Sequence, residues 1–463
     1  MSARSVRSAV LGLGVAVSGA ALARALPAQD TQYWADAYGT QSRLLGGISI
    51  GSDADISAVY YNPGAVALAD SLQFLISLNA LRFSDLSYSV PTVSTTIPSS
   101  TGWSALSNMF AGTLPVGGKD SHSRMAFSLL TRQAFNFAAQ IRDIPLDSFT
   151  PVPPPPPTTS IGNALVNQSL TETWAGATYA TAPSKHWGYG ASLFIAIRSQ
   201  SFSQSVTAQV VNGDGDAALA AKEYDFAYYN WAVLAKLGVQ YKGDDWSAGV
   251  TLTTPRLDLF GGADVGATRS YIDEGVTGPP SSQIATNYQS NLGASYHSPT
   301  SVGIGFGRWW KSTAVSFAAE WFAAVPRFTI IDAQPFVPQS GSVTPIPMAL
   351  TAQYRSLINW GVGVQHRFDE HWNAYAAFRT DLTSIPTGVQ SVGTLVNWNL
   401  MHANVGVQAS IGRASVILGL DTAWGSQTGV DAVGSPAPGL PALPVVNESY
   451  LNITGALGFK LSY

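Results

Sequence analysis

The C-terminal stretch LNITGALGFKLSY, residues 451–463, sets Leu451, Ile453, Leu457, Phe459, Leu461 and Tyr463 on one side of an extended chain. Successive side chains of a strand point to opposite faces, so apolar residues at a spacing of two mark a strand with one greasy face. The same period recurs upstream. From Trp187, positions Tyr189, Ala191, Leu193, Ile195 and Ile197 are apolar, against Gly188, Gly190, Ser192 and Arg198. From Tyr229, residues Trp231, Val233, Leu237, Val239 and Tyr241 oppose Asn230, Lys236 and Gln240. Phe74, Ile76 and Leu78 repeat the pattern, as do Trp360, Val362 and Val364, and Val416, Leu418 and Leu420.

Composition narrows what such strands build. Of the 463 residues, 11% are charged and 11% aromatic. A soluble domain carries about 25% charged residues. Mean hydropathy is nevertheless only +0.12, and no apolar run reaches the roughly 18 residues of a spanning helix. Both a soluble globule and a helical membrane protein fit poorly. The polar strand face is Gly, Ser, Asn and Gln with scattered charges, which suits a lumen. The apolar face often starts or ends in Trp or Tyr, rings that prefer the headgroup level. Alternation to a terminal aromatic resembles the last-strand signal of bacterial outer-membrane barrels. The net charge of -4 offers no footprint for nucleic acid. With no cysteine, disulfides, thiolate catalysis and Cys-ligated zinc are out. No His/Asp/Glu cluster has metal-ligand spacing, so neither metal nor cofactor is expected.

The expected fold class is all-β: a transmembrane antiparallel β-barrel of about 14 strands with an N-terminal hatch in its lumen. The strands lie near 71–83, 101–115, 122–137, 168–183, 187–204, 223–242, 246–260, 287–310, 313–328, 352–368, 371–382, 398–411, 414–425 and 449–463. Pro299 marks a kink in the eighth. Short connections at Ser184–His186, Gly243–Asp245, Lys311–Ser312, Asp369–Glu370 and Gly412–Arg413 alternate with long ones at 84–100, 138–167, 205–222, 261–286, 329–351, 383–397 and 426–448. Short periplasmic turns and long extracellular loops alternate in this way. Pro151 and Pro153–Pro157 make the 138–167 loop a stiff spacer.

Ahead of the barrel, Arg4 and Arg7 precede an apolar run over 9–23 and small-residue sites ending at Ala23 and Ala28. These are the parts of a secretory signal. Residues 1–28 are read as that signal, 29–70 as the hatch and 71–463 as the barrel. Residues 29–70 do not alternate, and a fourteen-stranded lumen is too wide for wall side chains to fill. A plug inside the bore accounts for both. Within it, a Gly-rich stretch, the acidic SDADISA and then VYYNPGAVAL (residues 59–68) resemble the N-terminal hatch of the FadL-type outer-membrane transporters. Asn62 and Pro63 match the family's Asn-Pro-Ala motif. Gly64 stands where the family has Ala, a mild departure because both are small. GVQYKGDDWSAGVTLTTPRL (238–257), SPTSVGIGFGRWW (298–310) and FRTDLTSIP (378–386) are also similar.

The resemblance implies passive transport of long-chain fatty acids or hydrocarbons across the bacterial outer membrane. The route runs through apolar pockets, a hatch rearrangement and lateral exit at a strand kink. It implies a monomer and no enzyme. Phe328, Ile330, Ile331, Phe336 and Val337 are candidates for a ligand pocket. Parity places Arg132, Arg198, Lys236, Glu320, Arg367, Arg379, Asp381 and Asp421 in the lumen. Of these, Arg132, Arg198 and Lys236 are candidate partners for a ligand carboxylate, and pairing across the barrel or pinning the hatch is the alternative use. Expected partners are hydrophobic small molecules, outer-membrane lipid and, through the strand ending at Tyr463, the barrel-assembly machinery. Two rival functions stay open. A general diffusion porin would have an open channel. A lipid hydrolase would need Ser and His with an orienting group, for which His402 with Asn404 on its face is the nearest arrangement.

Overall fold

The computed structural model describes residues 32–52, 55–89, 96–116, 122–145, 159–276, 279–340, 345–386, 398–430 and 446–463. The expected export signal over 1–28, its two expected cleavage sites and the Pro151–Pro157 run lie outside the described residues. The strands are, in chain order, β1 (Gln73–Ser89), β2 (Thr96–Val116), β3 (Ser123–Pro145), β4 (Thr159–Thr181), β5 (Trp187–Val211) and β6 (Ala217–Lys242). Then come β7 (Trp246–Thr253), β8 (Leu257–Asp273), β9 (Ser281–Gly293), β10 (Ser301–Trp310), β11 (Thr313–Phe322) and β12 (Val325–Ile331). The last are β13 (Leu350–Tyr354), β14 (Leu357–Arg367), β15 (Trp372–Asp381), β16 (Leu400–Ile411), β17 (Ala414–Val430) and β18 (Val446–Ser462).

Sixteen of these strands form one antiparallel sheet, and β5–β6 pairing closes it. β7 and β8 are successive pieces of one stave, both paired with β6, and β9 and β10 are likewise pieces of the next. The barrel therefore has fourteen staves. β12 and β13 pair with each other and extend the staves of β11 and β14. Closure at the chain ends is by β1 against β18, from Gln73↔Ser462 to Ser89↔Asn447. The Tyr463 hydroxyl donates to the Thr113 carbonyl at 2.6 Å across that seam.

Each expected strand is present, and the five short turns fall where the alternation pauses. Pro299 sits in the break between β9 and β10, where a residue without an N–H cannot hold a ladder. One expectation needs correcting. The upper ends of the staves run further than the alternation suggests: β5 continues to Val211 and β6 begins at Ala217, inside the expected 205–222 loop. β8 and β9 likewise take up much of 261–286, and β12 and β13 enter 329–351.

The segment from Gln32 to Leu68 packs against the inner wall. It carries α1 (Gln41–Leu44), α2 (Ala58–Tyr61) and α3 (Pro63–Ala67). Buried Asp55 ties its turns together, accepting from the Thr40 amide and hydroxyl, both at 2.6 Å, and from the Ser57 amide at 3.0 Å. Asn62 caps α3 by accepting from the Gly64 amide at 3.1 Å, with Pro63 at the first helical position. Its amide nitrogen faces the Ile50 carbonyl at 2.8 Å, the Val239 carbonyl at 3.0 Å and Gln240 Oε1 at 2.8 Å.

Inward-facing glycines of the wall are the seats of this segment. A Cβ on Gly238 would lie 2.1 Å from Asn62 Oδ1, and one on Gly305 2.3 Å from the Gly51 nitrogen. Gly64 is equally constrained: its Cβ would lie 2.6 Å from the Gly188 carbonyl oxygen and 2.8 Å from that of Gly238. Glycine and alanine are therefore not equivalent at position 64. Both contacts are with backbone, which cannot swing aside. Gly64→Ala is expected to cost about 1–3 kcal/mol of plug seating, seen as higher single-channel conductance than wild type with the barrel's heat-modifiable gel shift retained.

Candidate functional site

Along β5 the apolar face changes sides. Low in the strand, Leu193 and Ile195 point outward and Ser192 and Arg198 inward. Higher up, Ser199, Ser201 and Ser203 point outward and Phe202, Val206 and Ala208 inward. β6 mirrors this: Tyr229 and Leu237 face out, then Glu223 and Asp225 face out while Tyr224, Phe226 and Tyr228 turn in. A wall facing lipid must be apolar outside, and a wall facing water polar outside. The reversal marks the outer membrane boundary near Gln200 and Tyr228, and it lets the bore above that level be apolar.

That upper bore holds the largest apolar cluster among the described residues. Phe202, Tyr224, Phe226 and Tyr228 meet Tyr296, Ile330, Ile331, Phe336, Met348, Leu350, Tyr354 and Trp398 there. Of the five pocket candidates, Ile330, Ile331 and Phe336 are buried in this cluster. Phe328 is partly buried, stacked on the His297 ring at 4.5 Å between centroids. Val337 points away and is 54% exposed.

Beneath the cluster lies a charged floor. Glu172 takes Arg198 Nη1 at 2.8 Å and Arg256 Nη1 at 3.3 Å, and Trp174 Nε1 donates to its other oxygen at 2.7 Å. Both guanidiniums flank the Tyr296 ring, at 3.9 Å for Arg198 and 5.0 Å for Arg256. Arg198 Nε also donates to the Tyr228 hydroxyl at 2.9 Å, and Arg256 Nη2 to Asn230 at 2.7 Å. Sequence parity identified Arg198. Arg256 and Tyr296 escaped it because they sit in the stave breaks at Thr254–Arg256 and Ala294–Thr300, where alternation is lost. Glu172 was legible, as an inward charge on β4, and was missed.

The remaining lumen charges grip the N-terminal segment. Arg132 Nη2 donates to the Tyr33 carbonyl at 2.7 Å. Asp381 accepts the Tyr33 and Trp34 amides at 3.1 and 3.0 Å. Glu320 accepts Trp34 Nε1 at 2.8 Å and lies 3.8 Å from Lys236 Nζ, which stands over the Tyr60 ring at 5.0 Å. Arg379 donates to the Gly46 carbonyl at 3.1 Å and pairs with Asp421 at 3.3 Å. Arg367 is the exception: it lies exposed at the rim, 5.1 Å over the Trp309 ring. The His402 ring is engaged by Arg379 at 3.0 Å and Asp421 at 3.3 Å. A small cavity between segment and wall, lined by Tyr33, Trp34, Tyr60, Lys236, Glu320 and Arg379, leaves room for about one water.

Among the described residues the wall loses its ladder on the β12 side of β9, where only the Ala294↔Ile331 bridge links the staves, and lower down between β2 and β3. Among the described residues, β2 pairs with β3 only from Val116↔Ser123 to Met109↔Leu130. Beyond that level β2 continues against β1 and β3 against β4. All three strands are irregular there. Register shifts fall at Asn79/Leu81 between β1 and β18, Ser77/Leu78 between β1 and β2, and Thr131/Gln133 between β3 and β4.

Glu172 is the countercharge of two buried arginines, and removing one member of such a group strands the rest. Glu172→Gln is expected to lower barrel stability by roughly 3–5 kcal/mol, measured as a lower urea midpoint in detergent.

No protein-family model matches the sequence, and neither does any curated protein. Solved structures do. The toluene transporter TbuX of Ralstonia pickettii shares 14% identity at a TM-score of 0.54, over 92% of this chain and 99% of that one. The toluene transporter TodX of Pseudomonas putida shares 13% at 0.55, over 92% and 98%. A Pseudomonas aeruginosa FadL homologue shares 12% at 0.55, over 95% and 99%. Likeness over nearly whole chains at such low identity shows that this protein has the FadL-type outer-membrane barrel fold.

Proposed function

We propose that this chain is a passive transporter of hydrophobic compounds, fatty acids or hydrocarbons, across the outer membrane. The observation that carries the reading is the apolar upper bore set directly above a plugged lumen whose wall is unpaired between β2 and β3. A hydrophobic solute reaches the cell surface with little solubility, and each Å² of apolar surface returned to water costs about 25 cal/mol. A water-filled pore gives it no advantage. An apolar chamber above the bilayer does, followed by sideways release into lipid through a break in the wall. Residues 29–70 act as the hatch, and Asn62, Pro63 and Gly64 form its seat. Ile330, Ile331 and Phe336, with Phe328 at the edge, line the first pocket.

The cargo's charge bears on the floor. Arg132, Arg198 and Lys236 already bond the Tyr33 carbonyl, Glu172 and Glu320. A hydrocarbon leaves those bonds in place, whereas a carboxylate must displace a partner. This favours an uncharged cargo. The chain acts as a monomer in outer-membrane lipid, delivered by the barrel-assembly machinery through the strand that ends at Tyr463.

Uptake of labelled toluene and labelled oleate is compared in cells with and without the protein. Toluene uptake is expected to depend on it, and Ile331→Asp to reduce that uptake by about tenfold or more through burying an unpaired charge in the pocket. Cells indifferent to the protein for both solutes would sink the reading. Deleting residues 29–64 is expected to open a steady ionic leak in planar bilayers. Conductance equal to wild type would show that the segment is no plug.

A further inference from the structure

Where β2 leaves β3, the Gln32–Arg43 stretch lies inside the wall and is tied to β3 on one side and, beyond β2, to β1 on the other. On the β3 side, the Tyr38 hydroxyl lies 3.1 Å from the Thr131 carbonyl oxygen and 3.2 Å from that of Arg132. These are the carbonyls at the β3 bulge, the level at which pairing to β2 stops. Next to them, Arg132 donates back to the Tyr33 carbonyl and Gln133 Nε2 to the Gln32 carbonyl at 3.1 Å. On the β1 side, Arg43 bonds Ser77 and Asn79, and Asn79 Nδ2 reaches Asp36 at 3.4 Å.

Tyr38 is fully buried, its amide donates to the Tyr61 hydroxyl at 2.8 Å, and its ring meets Tyr60 edge-on at 4.7 Å. Burial holds its phenol well above the ordinary tyrosine range, so it remains a neutral donor. The hydroxyl thus ties the segment to the β3 bulge from inside the barrel.

We infer that Tyr38 is the latch of the lateral exit: its hydroxyl holds the Gln32–Arg43 stretch over the β2–β3 opening, and cargo passes only after it lets go. Tyr38 is a positioning residue. It sets how often the gap is uncovered and does not select the cargo. The inference rests on the transport reading above, and its test separates the two.

The experiment uses the full-length protein in lipid vesicles with toluene as probe. Tyr38→Phe keeps the ring and its packing and deletes only the donor. Losing one such bond, worth about 0.5–1.5 kcal/mol, corresponds to about a two- to twelvefold larger uncovered population. The variant is expected to take up toluene faster by that factor at an unchanged half-saturation concentration. Hydrogen exchange across residues 32–43 should rise by the same factor, and ionic conductance should stay at the wild-type level. Uptake and exchange must move together, and either one without the other overturns the latch. Higher conductance with faster uptake also overturns it, since the whole plug has then loosened. If Tyr38→Phe fails to fold, Arg132→Gln removes the adjacent tie and must shift both readouts the same way. A wild type that moves neither toluene nor oleate overturns the transport reading instead, and the exchange measurement still decides whether Tyr38 holds the segment down.

Discussion

In hydrocarbon a backbone amide or carbonyl finds no water, and leaving it unpaired costs several kcal/mol. That constraint sets this architecture. It requires β1 to meet β18, so that fourteen staves close without an edge. It also makes the exception informative. Where the β2–β3 ladder ends, a tyrosine hydroxyl of the N-terminal segment comes within hydrogen-bond reach of two β3 carbonyls, with one proton to donate. Plug and wall complete each other at this level, and the state of one bears on the state of the other.

The second determinant is what lies outside each part of the wall. Lipid demands apolar residues outward and so leaves the membrane-level bore to Ser192, Arg198 and Gln200. Water above the membrane reverses the demand, and Phe202, Val206, Tyr224 and Phe226 turn inward. The apolar chamber follows from solvent changing along one strand. Buried charges collect where the two regimes meet, and Arg198, Arg256 and Glu172 neutralise one another there around the Tyr296 ring. This group lies beneath the upper apolar cluster, and an unmatched charge buried there would be costly.

The same logic explains what could be read from the amino-acid order. The staves and short turns were legible because lipid on one side and a wet lumen on the other enforce a strict period of two over Trp187–Ile197 or Val416–Leu420. The upper staves were not, because the period continues while its phase inverts, and a stretch such as Ser205–Val211 then reads as a polar loop. Four of the five pocket candidates reach the apolar cluster since they are the large apolar residues of one extracellular connection. Val337, in the same stretch, points to water, and nothing local distinguishes it. Arg256 and Tyr296 lie where strands break. The glycine seats were visible only as small polar-face residues. Their contact with Asn62, Pro63 and Gly51 joins positions some two hundred residues apart.

The two ends of the N-terminal segment are held against the wall in different ways. Around Asn62 the seating is steric: backbone lies on backbone at Gly188, Gly238 and Gly249, and any departure forfeits close packing with nothing to replace it. From Gln32 to Arg43 the ties are mostly single hydrogen bonds to carbonyls and side chains of the wall. Neutral bonds of this kind contribute about 0.5–1.5 kcal/mol each, and those to the buried charges of Arg132, Glu320 and Asp381 about 1.5–3 kcal/mol, and they can break one at a time. On the transport reading proposed above, the hydrogen-bonded end beside the β2–β3 opening is the one that yields, while the close packing at Asn62, Pro63 and Gly64 holds the segment in the bore.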